Sequence, residues 1–234
     1  MTLPKLNTPQ YELELPSTGG KIKYRPFLVK EQKLLMMAQE SEDETQISDA
    51  VTDIIDSCTN GKLKAKELPV FDVEYIFLQL RSKSVGETST IRVLCPDDEK
   101  TYVEKVIKLD DISVHMTLEH TNIVELTDKI KIIMKYPIMN DMKGINLSGG
   151  LEGAFGLISK CVHEIHDGDT IHSRVDMNDK ELDEFIDTFS SKQFEQMMDF
   201  FNTMPKLRHA IQVTNPKTKK KGEVMLEGLQ SFLG

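Results

Sequence analysis

Residues 91–100 read IRVLCPDDEK, and residues 211–220 read IQVTNPKTKK. In each stretch apolar and polar residues alternate as far as a proline, and a second strand-forming arm follows the turn, which is typical of a β-hairpin. Aligned on their prolines, the stretches place Cys95 opposite Asn215 and Asp98 opposite Thr218. The sequence therefore predicts two related hairpins in distant parts of the chain.

These four positions are the ones at which a zinc ribbon carries the ligands of its two Cys-x-x-Cys knuckles. Cys95 is the one cysteine among them. A structural zinc site requires a thiolate or an imidazole at each corner, which the other three positions do not provide. We therefore expect the hairpins to meet as a degenerate, metal-free zinc-ribbon-like element held by packing, and we expect no cofactor, zinc included.

The bulk composition narrows the class of protein. The chain has 234 residues and is 39% hydrophobic. This suits one large domain or two small ones that need no disulfide bond or structural metal ion for stability. Its net charge of −9 argues against nucleic-acid binding, and the basic run at 217–221 is interpreted as a solvated turn. We find no secretory signal and no apolar run of roughly 20 residues, so we expect no membrane insertion. Three dispersed cysteines favour a reducing, cytosolic setting.

The rest of the sequence predicts an α+β fold with helical packing layers. Residues 11–27 predict a hairpin about the turn PSTGG, and two helices follow, with Cys58 on the apolar stripe of the second. Asp72 is expected to cap a third helix that ends near Gly86. The predicted organisation, interpreted as one compact body, is 1-85 (N-terminal hairpin and helices), 86-140 (first hairpin and sheet region), 141-205 (helical region) and 206-234 (second hairpin and tail).

The segment before residue 168 raises two site hypotheses. Its glycines lack the Gly-Lys-Ser or Gly-Lys-Thr ending of a phosphate loop, so we predict a helix from about Leu151 to Gly168 instead. On such a helix Cys161 and His163 point in different directions, and HEIH lacks the i, i+4 histidines of a zinc helix. We therefore interpret its histidines as polar-face residues near a helix C-terminus rather than as ligands of a metal site; the cluster comprises Cys161, His163, His166 and His172.

Capping boxes predict two further helices, one after Asn178 with Glu181 and one after Ser190 with Gln193. No constellation of catalytic residues is recognisable: the chain has no GxSxG elbow and no Walker motif. The acidic pairs Asp97–Asp98 and Asp110–Asp111 fall in predicted turns, where aspartate supports the backbone geometry. A hydrolase with dispersed catalytic residues remains open.

Five phrases together resemble the T4-type bacteriophage baseplate hub subunit and hub assembly family. They occur in matching order from about Lys21 to the C-terminus and read KIKYRPFLVKEQKLL, FDVEYIFLQLRSKSVGE, HTNIVELTDKIKIIMKYP, FEQMMDFFNTMPKLRH and GEVMLEGLQSFLG. Relatives in that family commonly show CPxC-like knuckles where this chain has CPDD and NPKT. This departure bears on zinc binding and leaves the resemblance itself intact.

The resemblance implies a non-enzymatic late protein of phage infection. Such a protein helps to build the central hub of a contractile tail baseplate by contacting other hub and tail proteins, in the host cytoplasm or in the virion baseplate. Whether it stays in the particle and whether it forms homo- or hetero-oligomers are open. Candidate contact residues stand at helical spacing or in the tail, with ordinary core packing as the alternative; they are Tyr75, Phe77, Phe194, Met197, Met198, Phe201, Phe232 and Leu233.

Overall fold

The computed structural model describes residues 6–145 and 150–233. The chain forms two compact units, one from the described parts of Met1–His115 and Lys206–Gly234, the other from those of Met116–Pro205. Four segments were expected from the sequence. Segments 1-85 and 206-234 fall in the first unit, and segment 86-140 is divided between the two units after His115. Among residues 6–145 and 150–233, no helix is both long enough and apolar enough to cross a membrane.

The first unit contains three main helices and seven strands. In chain order its elements are β1 (Tyr11–Glu14), β2 (Lys21–Tyr24), α1 (Val29–Glu40), α2 (Glu44–Cys58), α3 (Val70–Ser84), β3 (Thr88–Leu94), β4 (Tyr102–Lys108) and β5 (Ser113–His115). After the second unit come β10 (Lys206–Thr214), β11 (Lys221–Glu227) and the short α7 (Gln230–Leu233). The second unit contains β6 (Ile123–Glu125), β7 (Ile130–Met134), α4 (Leu151–Cys161), β8 (Val162–Asp167), β9 (Thr170–Ser173), α5 (Asp179–Ile186) and α6 (Ser191–Thr203).

All strand pairs of the first unit are antiparallel, and each of the three predicted hairpins is present. β1 pairs with β2, β3 pairs with β4, and β10 lies between β11 and β5. Residues alternate along β3, so that Ser89, Ile91 and Val93 are buried while their neighbours face outward. Their apolar side chains share one core with residues of α3, β10 and α7, including Leu78, Leu207 and Phe232.

Helix α3 begins differently from the expectation. Pro69 precedes its first residue, Val70, and Asp72 lies inside the first turn rather than at the cap. The Asp72 carboxylate is buried and accepts hydrogen bonds from the Ser17 amide, at 3.0 Å, and from the Ser17 hydroxyl. The capping prediction was therefore wrong, because the helix already begins at Val70 with Pro69 in the cap position. Asp72 instead connects α3 to the β1–β2 turn through its hydrogen bonds with Ser17.

The second unit packs helices against a four-stranded antiparallel sheet, in the order β6-β7-β8-β9. Its core combines aliphatic residues of the sheet with Met197, Phe200 and Phe201 of α6. Both predicted capping boxes are present: the Asn178 side chain accepts from the Glu181 amide at 2.8 Å, and Ser190 and Gln193 are paired in the same way.

The predicted helix from Leu151 to Gly168 was wrong in its second half. Helix α4 ends at Cys161, and the next six residues form β8, which pairs with β7 on one side and β9 on the other. Gly168 has a φ of +57°, and it turns the chain from β8 into β9. The spacing of apolar residues in a segment as short as 162–167 fits a helix and a strand equally well. The segment forms a strand because it pairs with β7. His163 and His166 therefore lie on a strand, not at a helix end.

Candidate functional site at the paired turns

The turns of the two related hairpins share one backbone hydrogen bond and one left-handed residue at the same position, although the first turn is one residue longer. Glu99 donates its amide to the Cys95 carbonyl at 3.0 Å, and Lys219 donates to the Asn215 carbonyl at 2.9 Å. Glu99 and Lys219 also share a left-handed conformation, with φ of 51° and 63°. Each turn thus folds back four residues after the position at which a zinc knuckle carries its first ligand, as the alignment on the prolines predicts.

The two turns meet through the side chain of Asn215. Its amide nitrogen donates to Asp97 Oδ1 at 2.8 Å and to Asp98 Oδ2 at 2.9 Å. The Thr218 hydroxyl donates to Asp97 Oδ2 at 2.5 Å. These contacts join parts of the chain that are 117 to 121 residues apart. The predicted meeting of the two hairpins is therefore present at Asn215.

Each turn also orders itself through its own side chains. Asn215 Oδ1 accepts from the amides of Lys217, at 2.8 Å, and Thr218, at 3.2 Å. In the other turn, Asp98 accepts from the Thr101 amide at 3.0 Å and from the Thr101 hydroxyl at 2.7 Å. Asn215 is 1% exposed, so its amide group is removed from water with its hydrogen-bonding capacity used.

The electrostatics of the site follow from these hydrogen bonds. The donors Thr218 and Asn215 lower the pKa of Asp97, and the Thr101 hydroxyl and amide, followed by Asn215, lower that of Asp98. Burial, reinforced by the two neighbouring carboxylates, raises the pKa of the Cys95 thiol. Asp97 and Asp98 therefore act as charged acceptors, while Cys95 stays a neutral thiol at physiological pH.

The backbone of β11 approaches the first turn closely at Gly222. A β-carbon placed on Gly222 would lie 2.6 Å from Cγ of Pro96. Proline has a rigid ring, so a side chain at this position would force the two turns apart. Sequence reasoning missed Gly222; its place directly after the basic run was the signal available, because glycine inside a strand often marks a close backbone approach.

The other metal-ligand candidates are dispersed. Cys161 is buried in the core of the second unit, and burial raises its pKa to about 12. His166 contacts Glu164 at 2.8 Å on β8, and His172 lies on β9 opposite Ile165. Over residues 6–145 and 150–233, no group of three or more His, Cys, Asp or Glu side chains is arranged to hold a metal ion.

Most of the candidate partner contacts lie inside their own unit. Four of these side chains are buried and supply core contacts, namely Phe77, Met197, Phe201 and Phe232. Three others are half-buried and pack against the cores, namely Tyr75, Phe194 and Met198. The side chain of Leu233 lies outside the described part of the chain. Core packing, the alternative weighed for these residues, accounts for the four that are buried.

A groove of about 200 Å³ opens in the second unit between the sheet and α5. Five of its eight lining side chains are apolar, and Asp167, His172 and Glu181 supply the polar groups. The lining contains no serine, threonine or cysteine, so it offers no hydroxyl or thiol nucleophile.

Comparison with known proteins identifies the family. A family model described as T4 bacteriophage base plate protein matches residues 8–234, which is nearly the whole chain. Searches of curated proteins and of solved structures give no significant match. The matched range includes both compact units and both related hairpins, in agreement with the resemblance found in the sequence. The chain therefore belongs to the T4 bacteriophage base plate protein family.

Proposed function

We propose that this base plate protein helps to assemble the central hub of a contractile phage tail, through contacts with other hub and tail proteins and without catalysing a reaction. The family match over residues 8–234 supports the setting. We further propose that it is made late in infection in the host cytoplasm, where tail parts are put together. An acidic chain with two separate units can contact more than one partner in such an assembly.

The observation that carries this proposal is the exposed apolar surface of helix α1. Five large apolar side chains at or just before this helix are exposed, and they are Leu28, Val29, Leu34, Met36 and Met37. Val29 and Met36 share one face of α1 at i, i+7, and Leu34 and Met37 are neighbours at i, i+3; exposed apolar residues that adjoin in this way mark interaction surfaces. Methionine is flexible and polarisable, so Met36 and Met37 suit contact with a protein surface of irregular shape.

A second candidate function is that of a structural hub subunit retained in the virion. The family description as a base plate protein favours it, because a baseplate is part of the particle. Both roles use the same exposed surfaces, since both work by burying protein against protein. They differ in whether the chain leaves before the particle is complete.

Quantitative mass spectrometry of gradient-purified particles and of the infected-cell lysate tests these roles. Peptides of this chain are measured against those of abundant tail proteins. We expect the chain in the lysate and at most traces in particles if it is an assembly factor. A fixed small copy number per particle would replace that proposal with the retained subunit.

Deletion of the gene tests whether the protein is needed at all. We expect infected cells without it to accumulate tail parts that lack a complete hub, and the wild-type gene supplied in trans to restore particles. Normal particle yield after deletion would contradict both roles.

If the chain were a hydrolase with dispersed catalytic residues, the groove beside α5 would be the most suitable active site. Complementation with a variant carrying Asp167→Asn, His172→Ala and Glu181→Gln separates it from a contact role. We expect this variant to restore particle assembly, because all three side chains are exposed and glutamine at position 181 can still accept the capping hydrogen bond from the Asn178 amide. Loss of assembly with the fold intact would favour a reaction at this site.

A further inference from the structure

Helix α1 exposes one continuous stripe of side chains. Five of its residues each stand three or four positions from another of the five, so their side chains are neighbours on the helix surface. All five are exposed, and they are Val29, Lys33, Met36, Met37 and Glu40. The buried residues of the helix, Glu31 and Ala38, lie on its opposite face. We call the five exposed residues the α1 stripe.

The two charges of the α1 stripe are uncompensated. Among residues 6–145 and 150–233, neither Lys33 nor Glu40 takes part in an ion pair, whereas the neighbouring Lys30 contacts Glu31 at 3.3 Å. Glu40 is the last residue of α1, where the partial negative charge of the helix end disfavours a carboxylate, and the last turn contains no basic residue. Both charges would therefore be stabilised by a partner that brings the opposite sign.

The α1 stripe is complementary to itself. Lys33 precedes Met36 by three positions, and Glu40 follows Met37 by three positions. When two copies of the helix lie antiparallel about a twofold axis between Met36 and Met37, Lys33 of each copy faces Glu40 of the other. The methionines of both copies then meet at the centre. Such a contact uses the same surface on both copies, as in the commonest kind of protein dimer.

We propose that the α1 stripe is the surface through which two copies of this chain associate as an antiparallel, twofold-symmetric dimer. The proposal rests on the proposed function, because it names the occupant of the exposed α1 surface from which that function is argued. The two Lys33–Glu40 pairs fix the antiparallel orientation, and the adaptable methionines fill the centre of the contact. A dimer presents each of its other exposed surfaces twice to the rest of the hub.

The length of α1 sets the expected affinity. The helix has 12 residues and is about 18 Å long, so the contact is small for a specific interface. We therefore expect a dissociation constant in the micromolar range. Sedimentation velocity of the purified full chain between about 1 and about 200 µM measures it, and the sedimentation coefficient should rise from that of a monomer to that of a dimer. A monomer at every concentration would overturn the proposal.

Charge exchange within the chain tests the orientation. Lys33→Glu and Glu40→Lys should each weaken the dimer by a factor on the order of ten or more, because each places like charges face to face at two sites. The double variant restores opposite signs and should restore the dimer. Lys192→Glu, at an exposed position of α6 in the second unit, is the control and should leave it unchanged. A double variant as weak as the single ones would exclude the antiparallel pairing.

Disulfide formation tests the position of the axis. Met37→Cys places a thiol beside the proposed axis, and the three native cysteines, Cys58, Cys95 and Cys161, are buried. With diamide as the oxidant, this variant should form a covalent dimer faster than Met225→Cys, whose position on β11 is also exposed. Equal rates for the two variants would contradict an axis at α1.

Failure of this proposal and failure of the proposed function have different signs. A purified chain that stays monomeric but is needed for particle formation would overturn self-association and leave the role in hub assembly intact. Normal particle yield after deletion of the gene would overturn the role in hub assembly, whether or not the purified chain dimerises.

Discussion

The turn at Cys95 and the turn at Asn215 both have a left-handed residue four positions on that donates its amide back to the first position, yet their side chains have opposite roles. The first turn contributes carboxylates that accept hydrogen bonds, and the second contributes an amide and a hydroxyl that donate them. In a zinc knuckle both turns would supply the same kind of ligand to one ion. Complementary hydrogen bonds can therefore join two turns of this shape where no four-ligand set exists.

Restoring four cysteines is the strongest challenge to this comparison. The triple variant Asp98→Cys, Asn215→Cys and Thr218→Cys, with Cys95 retained, should bind one zinc ion if the turns have knuckle geometry. Zinc at about a thousand times its Kd would then stabilise the fold by about 4 kcal/mol. Thermal melts with and without zinc, together with metal analysis, measure this. If the variant binds no zinc, the turns resemble a zinc ribbon in their backbone path but do not place four side chains around one metal ion.

Without zinc the same variant should be less stable than the wild type, because its thiols do not replace the contacts of Asn215. This control separates the effect of metal from the effect of the substitutions.

Removing the Asn215 side chain tests the hydrogen-bonded contact directly. Asn215→Ala should destabilise the protein by about 2–3 kcal/mol, since a buried amide loses charge-assisted hydrogen bonds and leaves turn amides unpaired. Urea unfolding measures the change. Asn202→Ala, at an exposed position of the second unit, is the control and should change stability little. Equal effects of the two variants would show that the meeting of the turns adds nothing.

Gly222 tests how closely the turns must approach. Gly222→Ala should cost about 1–2 kcal/mol because its β-carbon meets the Pro96 ring. The double variant Gly222→Ala with Pro96→Ala removes the proline ring that the new β-carbon would meet. In a double-mutant cycle it should recover part of the stability lost in Gly222→Ala. Strict additivity of the two substitutions would contradict a direct contact.

Acid should weaken the contact between the turns. The pKa values of Asp97 and Asp98 are lowered in the folded protein, so their stabilising effect is complete above the unfolded value of about 3.9 and is lost as the pH falls below it. The stability difference between wild type and Asn215→Ala should therefore shrink below about pH 4. A difference that stays constant down to pH 2 would assign it to uncharged contacts.

Chelation should have the smallest effect, because we predict no bound metal in the wild type. Dialysis against EDTA should leave the melting temperature unchanged within error, and metal analysis should find less than one zinc per chain. A clear loss of stability on chelation would mean that an ion contributes to this fold after all.

The hairpins could be predicted because alternation and a proline-containing turn are local signals, and the alignment on the prolines included Asn215 among the four positions at which the hairpins were expected to meet. The acceptor role of Asp97 could not be predicted from its turn position, since it depends on a donor more than a hundred residues away. Gly222 was missed for the same reason: the close approach of Pro96 is a tertiary contact.

The errors have a common physical origin. Residues 162–167 are a strand because β7 and β9 pair with them, and their short apolar pattern fits a helix equally well. Asp72 resembles a cap in sequence, but Pro69 starts the helix before it. Phe232, for which core packing and partner contact were both open, is buried in a core shared with β3, β4 and β10, which are distant in the chain. Spacing identifies an apolar face, while the assembled core decides whether that face is covered.

The pairing of β5 with β10 has a consequence for biosynthesis. Lys206 pairs with His115, so all of Met116–Pro205 is inserted between two neighbouring strands of one sheet. During translation the ribosome delivers the whole second unit before β10, the central strand of the first unit, has been made. The second unit can therefore mature while the first still lacks the middle of its sheet. Closure of the first unit must wait until the segment after residue 205 has emerged.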